Sequence, residues 1–152
     1  MQVPILAWLL QGIPECLAST ALVMIVSTGR LQWDKILMIG LCQAVLVYLV
    51  RLLPITYGVH TILLIFSLAV LVSTIGKVSF LISLLSSIFA IFVIFISEFS
   101  AYWLISRSRA VTHEEMVSSV SYWIVMGLPQ IVVLSLLVYI FKVRLKGKRL
   151  QF

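Results

Sequence analysis

Along the chain, long apolar runs are divided by short polar breaks, and the breaks carry most of the turn-forming and charged residues. A helix needs about 20 predominantly apolar residues to cross roughly 30 Å of hydrocarbon. The first run covers residues 4–28 and ends at Gly29-Arg30. Pro4 suits a first helical turn. Pro14 falls inside the run, where it removes a hydrogen bond and predicts a kink near Gln11-Gly12. A second run, 36–53, is stopped by Pro54, because a residue before proline avoids the helical region. The turn that follows is short and makes the third run, 59–75, an antiparallel neighbour. That run closes at Gly76-Lys77, and a fourth covers 80–105.

Residues 106–121 form the longest polar stretch. Within it Thr112 and Glu115 have capping-box spacing, which predicts a helix starting at His113 and continuing into a fifth run at 120–141. A second internal proline, Pro129, predicts a kink there. The pattern thus predicts an all-α, polytopic transmembrane bundle of five spans (1–141), followed by a basic tail at 142–152. A four-span alternative lays the first run in the membrane interface.

Composition agrees with lipid as the solvent. Hydrophobic residues make up 62% and charged residues 11% of the 152, against about 45–50% and about 25% in soluble domains. The net charge of +6 does not point to nucleic acid, because the excess sits in Lys142, Arg144, Lys146, Lys148 and Arg149, just past the last run. Such a cluster anchors a chain on anionic headgroups, at ~1 kcal/mol per basic residue, or is a solvated tail that fixes topology. Placing the C-terminus in the cytoplasm and the N-terminus outside puts Arg30, Lys35, Lys77 and those five residues inside, with Arg51, Arg107 and Arg109 outside. Trp8, Tyr57, Trp103 and Trp123 then form one interfacial belt, and Trp33, Tyr139 and Phe141 the other. The expected location is the cell membrane as a multi-pass protein, with the bilayer as partner and either self-association or a larger membrane protein beside it.

Ionisable side chains within apolar spans cost ~2.5–3.5 kcal/mol on insertion scales, so each needs a partner or a purpose. Glu15 follows Pro14, roughly 10 Å below the outer boundary if Trp8 marks it, at about 1.5 Å per residue. Arg51 sits near the outer end of the second span, His60 opens the third, and Glu98 lies just inside Tyr102-Trp103. All four project to the outer half of the membrane and are the candidate ligand-binding residues, with the charges recognising polar groups of a small or peptidic ligand. A structural reading stands beside this one. Arg51 is close enough to water to snorkel, Glu98 can be interfacial, and a protonated Glu15 can hydrogen-bond a carbonyl freed by Pro14. Small residues four apart predict close helix approach: Gly40 and Ala44, Ser83 and Ser87, Ser97 and Ala101.

No catalytic reading follows. Cys16 and His60 are the only Cys/His pair expected in the same half of the membrane, and the zinc-hydrolase, nucleophile-elbow and phosphate-loop motifs are missing from the sequence. The expectation is a non-enzymatic chain without cofactor or metal. With Gln11-Gly12-Ile13-Pro14-Glu15 in the first span and residues 51–61 at the second turn, the layout resembles the N-terminal membrane sensor regions of Gram-positive bacterial histidine kinases, including peptide-sensing accessory-gene-regulator types. That resemblance implies sensing in the membrane and a signal passed to a kinase, and nominates Glu15, Arg51 and His60. Neither a phosphoacceptor helix nor an ATP-binding domain is in the sequence. The expectation is therefore a sensor module apart from its kinase, a piece of a longer chain, or a small membrane protein on the same scaffold. The alternatives are a small oligomeric transporter or channel subunit, or a structural partner in a larger membrane complex.

Overall fold

The computed structural model describes residues 8–53, 57–108 and 120–149, and all its regular structure is helical. A π-helical turn, Trp8–Gly12, leads into α1, Ile13–Thr28. Helices α2 (Trp33–Leu52), α3 (Tyr57–Gly76), α4 (Phe80–Ser108) and α5 (Val120–Arg149) follow. Among the described residues five helical stretches are long and apolar enough to cross a membrane, the first being the π turn and α1 together.

The disturbance expected at Pro14 takes the form of that π turn. Proline has no N–H to offer the Leu10 carbonyl one turn back, and its ring crowds that carbonyl. A wider turn relieves the clash, as π-bulges do within helices. The capping box at Thr112 and Glu115 and the helix start at His113 lie outside the described residues. The fifth helix does not end at 141: it continues to Arg149, so the basic cluster rides on its last turns as helix. At about 1.5 Å per residue this helix is roughly 45 Å long, well beyond the hydrocarbon thickness.

Helix α1 is the centre of the bundle. It packs against α2, α3, α4 and α5, which form an arc around it in chain order. Half of its apolar window is buried, more than in any other span. The most apolar helices, α3 and α4, are in contrast largely exposed. In a bilayer the surface faces acyl chains, so exposure of apolar helices carries no penalty there; α5, hardly more apolar than the first span, is as exposed as α3.

The register follows from contacts along α1. Gln11 meets Gly127, Glu15 meets Gln130 and Gly29 meets Leu145, so α1 and α5 run parallel and in step. Leu17 meets Gly40 while Trp8 reaches Ala44, so α2 runs antiparallel; Leu64 packs on the Cys16 cluster while Gly76 meets Met24, so α3 is parallel again. The five described helices therefore alternate in direction. The α1 start, α2 end, α3 start and α4 end share one end of the bundle. All six small residues expected at helix contacts are buried.

Two turns at the opposite end are closed by left-handed residues. Gly29 has φ +67° and donates its N–H to Ile25 O at 2.9 Å. After α3 the left-handed position is taken by Lys77, at φ 57° and not by Gly76, and Val78 N–H reaches Ser73 O at 3.3 Å. This six-to-one bond is the Schellman closure of a helix C-terminus. Gly76 serves packing instead: a Cβ there would lie 3.3 Å from Met24 Sδ.

Candidate functional site

The π turn and the first half of α1 carry the polar face. Gln11, Glu15 and Ser19 recur four residues apart, which stacks them on one side of a helix. Gln11 is buried and occupies the space a side chain at position 127 would need, which is why α5 has glycine there. One turn further along, Gln130 is fully buried and its Nε2 donates to Glu15 Oε2 at 2.8 Å. Glu15 thus faces α5 and not acyl chains. Gln130 Oε1 and Gln11 Oε1 are both buried without a hydrogen-bond partner.

The four candidate ligand-binding residues occupy the same end of the bundle. Arg51, half-buried at the end of α2, is within electrostatic reach of Glu15, His60 and Glu98, and Glu15 also feels Glu98. Their burial differs. Glu15 and His60 are half-buried, with His60 Nε2 enclosed and lacking a hydrogen-bond partner, whereas Glu98 lies on the exposed flank of α4. Register puts Arg51, His60 and Glu98 near the mouth of this end, with Glu15 about two turns deeper. With Gln130 added, each of the five helices contributes one polar residue.

Several neighbours stiffen the arrangement. Trp8 does not merely mark an interface: its indole N–H donates to Ala44 O at 3.1 Å, and its ring lies 5.1 Å from that of Tyr48. That contact pins the π turn to α2. Gln43 Nε2 donates to Leu64 O at 3.2 Å and Gln43 Oε1 accepts from Ser67 at 3.0 Å, which ties α2 to α3. At the rim, the Arg107 guanidinium lies 4.8 Å from the centre of the Trp103 ring. The side chains of Tyr57 and Trp123, the other members of that belt, lie outside the description.

Gln130 and Gln43 did not stand out as site residues. The signal was an amide in the middle of an apolar run, at Gln43 and immediately after Pro129, which in lipid calls for a partner as a charge does. Cys16 is buried against Ala44 and Val47, and Cys42 is exposed. No group of three metal-ligating side chains occurs among the described residues.

The basic cluster expected to anchor the chain is at the other end. Lys142 and Arg144 are exposed on α5, and Lys146, Lys148 and Arg149 continue its helical backbone. Searches of protein-family models, curated proteins and solved structures found no match for this chain.

Proposed function

We propose that the chain is a membrane sensing module, with the end of the bundle around Glu15, Arg51, His60, Glu98 and Gln130 as its receiving site. The observation that carries this reading is that every helix supplies one member of an electrostatically linked set, with Arg51, His60 and Glu98 near the mouth and Glu15 and Gln130 inside otherwise apolar helices. A ligand offering a cationic or hydrogen-bonding group competes with Gln130 for Glu15. That loosens α5 from α1, and α5 runs on to the basic turns at the opposite end. A ligand shifts such an equilibrium only through its different affinity for the two packings, and the Glu15–Gln130 contact is where they would differ.

The test is thermal unfolding in nanodiscs against a panel of short peptides and small organic ions. A compound that stabilises the native chain should lose its effect in Glu15→Gln and in Arg51→Ala while helicity is kept. Equal shifts in native and variant chains would retire the receiving site.

One observation favours a transport reading instead. Thr20 Oγ1 and Ser83 Oγ are both buried without hydrogen-bond partners. The Met24–Gly76 contact and the short turn from Gly76 to α4 place them at about the same level, so polar groups continue inward beyond Glu15. In proteoliposomes, a proton flux that falls in Glu15→Gln supports a channel or carrier subunit, and flux no faster than in empty liposomes excludes proton transport.

A further inference from the structure

At the end opposite Glu15, the start of α2 and the last turns of α5 leave a cavity of about 360 Å³ beside α1, lined by Ile25, Arg30, Leu31, Trp33, Lys142 and Leu145, together with Gly29. It opens where the arc of helices does not close, since α2 and α5 share no extended packed face among the described residues. Its two chemistries are separated. Ile25, Leu31 and Leu145 make an apolar floor, while Arg30 approaches from the loop between α1 and α2 and Lys142 from α5, close to the ends of the apolar stretches.

The loop that carries Arg30 is fixed. Gly29 turns the chain in the left-handed region, and Arg30 N–H donates to Thr28 Oγ1 at 3.2 Å. Beside the cavity Gln32, the N-cap of α2, makes no side-chain cap, so the first amide N–H groups of the helix keep their capacity for an anion. Asp34 is the one acidic residue at this end among the described residues, and it is not in the lining.

We infer that this cavity is a binding site for an anionic phospholipid. The phosphate sits between Arg30 and Lys142, the Trp33 ring lies at headgroup level, and an acyl chain runs along Ile25 and Leu145 into the gap between α2 and α5. Charge complementarity with an apolar floor selects a lipid over a soluble anion, because phosphate alone leaves that floor exposed. Basic pockets between transmembrane helices recognise headgroups in this way. The inference is independent of the sensing reading, since it concerns the opposite end and other residues.

The test uses the full chain in nanodiscs of phosphatidylcholine with a small fraction of phosphatidylglycerol, native or brominated. Brominated phosphatidylglycerol should quench tryptophan emission more than brominated phosphatidylcholine, and the difference should vanish in Trp33→Phe. Native mass spectrometry from mild detergent should retain phosphatidylglycerol on the native chain. Arg30→Ala with Lys142→Ala should weaken retention roughly 30-fold, two cations at about 1 kcal/mol each. Arg107→Ala, at the other end, should leave it unchanged. Circular dichroism of each variant distinguishes lost binding from lost folding, and Arg30→Lys should bind if charge is what matters. Equal retention of the two lipids, equal retention by the double variant, or displacement by millimolar glycerol phosphate would each overturn the lipid assignment.

Discussion

The two halves of α1 solve different problems with the same helix. Towards the Arg51 end it is wound as a π turn, carries Gln11, Glu15 and Ser19, and meets α5 through amides and a carboxylate. In its second half Leu22, Val23, Met24 and Ile25 are all at most 2% exposed, and the contacts are apolar. Between helices already in lipid, apolar surface brings no gain over acyl chains, so close packing holds the second half together. Polar groups have no such substitute. The first half therefore identifies its partner helix, and the second half supplies tight fit.

The comparison breaks first at the apolar half. Leu22 is wholly enclosed within the largest core cluster. Leu22→Ala should lower stability by about 2–5 kcal/mol, the range for a large-to-small change that leaves a cavity. Equilibrium unfolding in mixed micelles measures it, and a loss below about 1 kcal/mol would show that this half is not tightly packed.

Gly127→Ala tests the polar half next. The new methyl would meet the Gln11 side chain, and overpacking of this kind costs about 1–3 kcal/mol. Gln11→Ala in the same chain should recover most of the loss, because it empties the space the methyl needs. A single variant as stable as the native chain would contradict the α1–α5 register.

These two contacts also show what could be read from residue order. Five helices were legible, because apolar runs of span length admit no other backbone structure in lipid. The site of disturbance near Gly12 was legible through Pro14. The pairing of Glu15 with Gln130 was not, since those residues are 115 positions apart and an uncharged amide carries no mark of its partner. Nor was the central place of α1. Hydropathy separates membrane from water, but it does not rank helices by depth within a bundle. The convergence of Arg51, His60, Glu98 and Glu15 on one end was legible from alternating crossings alone. Their separation into a rim and a deeper Glu15 was legible too, from each residue's distance to the end of its run, whereas the turn of Glu15 toward α5 required the contact with Gln130.

Gln130→Leu should have a smaller effect than either change above. Interhelical hydrogen bonds in membranes contribute about 0.6 kcal/mol on average and up to about 1.7. The partner left behind is a carboxyl group, which places this case at the upper end, about 1.5 kcal/mol. A double-mutant cycle with Glu15→Ala separates the pair from the loss of each side chain. Coupling near zero would mean that Glu15 and Gln130 are neighbours without being partners, and the division of α1 into two halves would lose its sharpest contact.

The smallest expected effect lies at the α3–α4 turn, where a stabilising change is predicted. Lys77 holds a left-handed conformation that costs an L-residue about 1–2 kcal/mol relative to glycine. Glycine also has more freedom to lose from the unfolded chain, which takes back roughly 0.5–1 kcal/mol. Lys77→Gly should therefore raise stability by about 0.5 kcal/mol. Gly76→Ala, one residue earlier, has no left-handed backbone to relieve; its methyl comes tightest against the flexible thioether of Met24 and makes ordinary contact with Val72 and Val78 at 3.6 Å. It should stay within about 0.5 kcal/mol of the native chain, because methionine adapts to small changes in shape. If Gly76→Ala were instead strongly destabilising, the Met24 contact would be as exacting as that of Gln11 with Gly127. Tight fit would then extend from the Leu22–Ile25 core to this turn.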